Sequence, residues 1–206
     1  QKPSFGSVIS RNLGSRQPPM PAYISMPKSE AFGYQGAVYL GKAYNPFEVI
    51  ADPNAPNFKL PNLSLPEGLA ARHVDARRTL LKTFDTFRRD IDRTGGMDGL
   101  DSFKRQALEM VAGENMRKAF NLDVEDSKLR DRYGRNVWGQ GCLLARRLAE
   151  AGAAAITVNI NTPKNGPEFT NWDDHIQNAG RPGHFGDFMK NRLPYLDNAL
   201  ATLIED

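Results

Sequence analysis

Apolar residues recur along the chain with more than one rhythm. Leu69, His73, Ala76, Leu80, Phe84, Phe87 and Ile91 return at three- and four-residue steps, with Arg72, Arg77, Arg78, Arg88 and Arg89 mostly between them. That is the period of a helix with one apolar face. Ser64-Leu65-Pro66-Glu67 has the form of its start, with Ser64 as N-cap, Pro66 in the first turn and Glu67 placed to reach back to the cap. Gly95-Gly96 ends it. Further helices are expected over residues 100–112, 115–120, 127–133 and 137–151, the last stopped by Gly152. Residues 154–160 then form a nearly continuous apolar run, as expected of a strand covered on both faces. Helix, tight turn and buried strand make an α/β unit. A loop over residues 161–181 comes next, and a last helix runs from about residue 185 to 205 with Pro194 inside it.

Residues 1–63 read differently. Pro18, Pro19, Pro21, Pro27, Pro46, Pro53, Pro56 and Pro61, with Gly33, Gly36 and Gly41, favour turns and short strands. A short helix over 7–13 ended by Gly14 is expected, with strands over 22–26 and 37–40. The chain thus divides into a Pro/Gly-rich segment (1–63), a helical region (64–135) and an α/β region (136–206), read as one domain. Gln1 in place of Met, and a helical rhythm that continues to Asp206, lead to the expectation that this domain is incomplete at both ends.

Composition changes this picture only by exclusion. The 206 residues are 40% hydrophobic and 25% charged, which suits a folded domain and not a disordered one. A net charge of +3 is too small, and too evenly spread, to call for a nucleic-acid partner. No run of apolar residues is long enough for a transmembrane helix. Cys142 is the single cysteine, so no disulfide forms within the chain and a cysteine-rich zinc site is excluded.

The candidate chemistry lies mainly in the 161–181 loop. Sites in open α/β sheets gather beyond the carboxyl ends of strands. Here Asp173, Asp174 and His175 bring two carboxylates and an imidazole together, donors that suit a divalent ion. Asp173 and His175 are the preferred ligand pair, with Asp174 and His184 as further candidates. His184 precedes a helix N-terminus, which disfavours its charged form. The same residues are also ordinary loop and cap residues. His73 has Arg77 at i+4, so it reads as a helix-face residue.

Cys142 falls in the apolar pattern of its helix and reads as core, while Gly139 and Gly141 read as points of close helix packing. Arg130-Asp131-Arg132-Tyr133-Gly134-Arg135 offers Arg132 and Arg135 as candidates for binding an anion. The competing reading pairs these arginines with Asp123, Glu125 and Asp126 and gives them the task of fastening helices together.

Several blocks occur in an order that resembles a known family. They include Leu63-Ser64-Leu65-Pro66, Arg130-Asp131-Arg132-Tyr133-Gly134, Gly139-Gln140-Gly141-Cys142-Leu143-Leu144-Ala145-Arg146-Arg147-Leu148, Thr157-Val158-Asn159, Trp172-Asp173-Asp174-His175 and Leu193-Pro194-Tyr195-Leu196-Asp197. The chain resembles the bacterial family catalogued as domain of unknown function fifteen-oh-one, often labelled sulfatase-like and similar to the alkaline phosphatase superfamily. The resemblance implies a mostly parallel sheet flanked by helices, here with a helical insertion. It also implies Asp173 and His175 as ligands to zinc, manganese, iron or calcium. Relatives usually carry Thr where this chain has Asp174.

The resemblance leads us to expect the central portion of an exported or periplasmic, metal-dependent hydrolase of phosphate or sulfate esters. Its partners would be an anionic ester and the remaining segments of the parent protein, with room for an oligomer. The alternative is a non-catalytic interaction or assembly protein that keeps the fold with a degenerate site.

Overall fold

The computed structural model describes residues 2–26, 36–59, 114–160 and 185–206. The helices expected over 64–94 and 100–112, and the 161–181 loop, lie outside the described residues.

Helix α1 spans Phe5–Leu13. Ser4 caps it, its hydroxyl accepting from the Ser7 amide at 3.2 Å. Gly14 stops it at φ 62°, a backbone angle that a side chain resists. Strand β1, Tyr23–Met26, is buried at all four residues. The expected strand over 37–40 is instead a 3-10 turn, Val38–Leu40, followed by a second turn at Lys42–Tyr44. The correction has a local cause. The Leu40 amide donates back to Ala37 O at 2.9 Å, and the Ala37 amide is held by Asn45 Oδ1 at 2.8 Å, so the segment closes on itself. Four apolar residues alone do not separate strand from turn. Strand β2 is the short pair Phe47–Glu48.

Helix α2, Glu114–Phe120, leads through a 3-10 turn at Leu122–Val124 into α3, Ser127–Tyr133. Helix α4, Val137–Glu150, begins at Asn136, whose Oδ1 accepts from the amides of Trp138 and Gly139 at 3.0 Å each. It ends where Gly152, at φ 105°, donates to Ala149 O. Strand β3, Ala155–Val158, comes directly after it. Helix α5, Phe185–Glu205, runs through Pro194 as expected.

The described strands form a parallel sheet in the order β2-β1-β3. Tyr23 pairs with Ala155 and Met26 with Val158. Alternation along the strands then assigns the faces. Ile24, Met26, Ile156 and Val158 turn toward α4, where Cys142, Leu143, Leu144 and Leu148 complete the core. On the other face α1 lies against Tyr23, whose hydroxyl is 3.1 Å from Thr157 Oγ1. Burial differs from expectation in one respect: β3 is half-buried along its length, and the fully buried strand is β1. The reason is position, since β1 has a strand on each side.

Candidate functional site

The carboxyl edge of the sheet is formed by the ends of β1 and β3. β1 and β3 end level with each other, and the Asn159 amide donates to Met26 O at 2.7 Å just beyond the last pair. From β1 the chain goes to β2 on one side, while β3 lies on the other. Among the described strands that reversal is a topological switch point, the kind of place where open α/β sheets leave a crevice. Helix α4 runs back antiparallel to β3, so its first turns stand over this edge. A Cβ on Gly141 would come within 3.3 Å of Val158 Cγ1.

The expected metal ligands all follow Ile160 in the chain. Asp173, Asp174, His175 and His184 lie outside the described residues, as does His73. Among the described residues no group of three or more His, Cys, Asp and Glu side chains is arranged to hold a metal ion.

The arginines of α3, and Arg135 just after it, have partners within the chain. Arg130 donates to Gln140 Oε1 at 2.8 Å and to Asp123 at 3.3 Å. Arg132 Nη2 lies 2.6 Å from Glu205 Oε2. Arg135 donates to Asp131 at 2.6 Å and to the Ser127 hydroxyl at 2.9 Å. The Arg132 carbonyl accepts from Asn198 Nδ2 at 2.6 Å and Thr202 Oγ1 at 3.1 Å. The Arg130 and Arg132 contacts tie α3 to α4 and α5, the fastening role read from the sequence, whereas Arg135 folds back onto α3 itself. Of the upstream acids, Asp123 pairs as expected, while Asp126 caps α3 through the Lys128 amide.

Sequence reasoning did not single out the ionic cluster at the far end of α4. Glu125 Oε2 is 3.0 Å from Arg146 Nη2, and its other oxygen contacts Arg147 Nη1. Arg146 also reaches Glu150 at 3.2 Å and lies 2.9 Å from Asp206 Oδ2. Asp206 in turn accepts from the Tyr133 hydroxyl at 3.0 Å. The available signal was the adjacent Arg146-Arg147 in the last turns of a helix with an apolar face.

Cys142 is buried, and desolvation pushes its thiol pKa up. A thiol held neutral in the core is a poor nucleophile, in keeping with the packing role.

A family model described as "Protein of unknown function (DUF1501)" matches the chain over residues 1–206. No curated protein and no solved structure matches it.

Proposed function

As the chain belongs to this family, whose description assigns no activity, we propose that it forms part of an exported, metal-dependent hydrolase of phosphate or sulfate esters built on an alkaline-phosphatase-like sheet. The observation that carries the reading is the parallel β1–β3 edge at a switch point, from which the segment holding Trp172-Asp173-Asp174-His175 departs. Asp173 and His175 are the ligands, with Asp174 adding negative charge beside them and His184 a further donor. Carboxylate oxygen and imidazole nitrogen suit zinc, manganese or iron, and carboxylates alone suit calcium. Such an ion supplies Lewis-acid polarisation of the ester oxygens and a bound water of lowered pKa. Arg132 and Arg135, each with an exposed carboxylate partner within the chain, are the weaker candidates for holding the substrate anion.

Elemental analysis of the natively purified protein, paired with intact mass, tests the reading. We expect a stoichiometric divalent metal that is lost in Asp173→Ala and in His175→Ala, and hydrolysis of phosphate or sulfate monoesters that a chelator abolishes. Metal content unchanged by both substitutions overturns the ligand assignment. No metal and no turnover favour the assembly protein instead.

A further inference from the structure

Helix α1 turns its apolar side outward. Gly6, Ser7 and Ser10 are its buried residues, whereas Phe5 and Val8, one turn apart on the same face, are 81% and 40% exposed. A helix resting on a sheet normally does the reverse. Small residues face the sheet because the ring of Tyr23 fills the space where a Gly6 side chain would project.

The neighbouring turns extend the outward surface. The Ser4 amide donates to Gly36 O at 3.0 Å, and the Arg11 guanidinium sits over the Tyr44 ring at 6.0 Å. Tyr39, in the first of these turns, is 74% exposed. Among the described residues the charges here are mostly of one sign: Lys2, Arg11, Arg16 and Lys42 are all exposed, against one exposed acid, Glu48, which pairs with Ser25 and so lies on the α1 side of the sheet.

We infer that the outward face of α1, with the Tyr39 turn, docks on a lipid surface bearing anionic headgroups. Projecting aromatic and aliphatic side chains on a segment whose exposed charges are mainly Lys and Arg match the boundary between acyl chains and negative headgroups. A second copy of the chain is the poorer occupant, because face-to-face pairing would set the same four cations against one another. The inference is independent of the hydrolase reading.

Sedimentation of the full chain with vesicles tests it. We expect association with mixed phosphatidylglycerol–phosphatidylcholine vesicles and none with phosphatidylcholine alone, weakening as salt is raised. Phe5→Ser lowers the partition coefficient roughly tenfold, and Lys2→Ala and Lys42→Ala lower it about fivefold each. Because Phe5 is exposed, Phe5→Ser keeps the thermal midpoint of the unaltered chain. Absence of binding to anionic vesicles at low salt overturns the proposal, as does equal binding to neutral ones. Self-association, or capture by an acidic protein alone, that Phe5→Ser abolishes without any vesicle binding also overturns it.

Discussion

A side chain on Gly139 would collide with the carbonyl oxygen of Tyr133, and with that of Gly134 beside it. The first turn of α4 therefore sits on the end of α3 at a distance that only glycine permits. Backbone cannot move aside as a side-chain tip can. Gly139→Ala is expected to cost about 3 kcal/mol, lowering the midpoint of thermal unfolding by roughly 6–12 °C. Gly141→Ala is the control. Its added methyl meets the movable Cγ1 of Val158 at 3.3 Å, so the midpoint should change by less than half as much.

Gln140 holds the same junction by hydrogen bonds. Its side chain is fully buried, with Nε2 donating to Arg130 O at 2.9 Å and Gly134 O at 3.0 Å while Oε1 accepts from Arg130. Gln140→Leu keeps the volume and takes the side-chain partner from Arg130 O and Arg130 Nε, while Gly134 O keeps the Asn136 amide at 2.9 Å. A loss of about 2–3 kcal/mol is expected in urea unfolding, against near-neutrality if these groups find other partners.

How much of the structure was legible depended on how local the cause was. Helix α4 and its turn into β3 were readable because Val137 onward repeats helically and Gly152 can adopt the backbone angle that ends the helix. The 3-10 turn at Val38–Leu40 was not, since the acceptor in its deciding bond, Asn45 Oδ1 receiving the Ala37 amide, comes from outside the apolar run. The greater burial of β1 than of β3 depends on strand order, which neither strand encodes alone. Among the arginines, the sequence pointed to upstream acids, yet Arg132 pairs with Glu205 across the fold. The candidate ligands Asp173 and His175 were legible as donor types, and their assignment stays with the family resemblance.

Alkali should destabilise the fold through two groups. Burial raises the pKa of Cys142. Burial first, then the hydrogen bond to Asp206 and its charge, raises that of Tyr133. In both cases the folded chain keeps a proton that the unfolded chain releases. The stabilisation is thus fully present below the ordinary thiol pKa of about 8.5 and falls as pH rises through it. Tyr133 adds a second loss above about pH 10. Urea unfolding at a series of pH values should show this decline. Cys142→Ala should flatten its first part, and an unchanged slope would assign the loss to other groups.

Glu125 and Glu205 both pair with arginine, but they should differ in value. The Glu125 side chain is 12% exposed and bridges Arg146 and Arg147, and Arg147 also donates to Ala119 O at 3.0 Å at the end of α2. With Gln in its place one oxygen still accepts, but the other of the two poorly hydrated guanidinium groups faces an amide N–H and both lose the opposite charge. The Glu205 side chain is 66% exposed and its partner Arg132 56%, so water replaces that contact readily. Glu125→Gln is expected to cost about 2 kcal/mol, or roughly 4–8 °C in the thermal midpoint, and Glu205→Gln no more than about 0.5 kcal/mol. Raising salt should erase the smaller effect and leave most of the larger one, because screening acts mainly on exposed charges. Equal costs in the two variants would mean that the Glu125 cluster is as well hydrated as a surface pair.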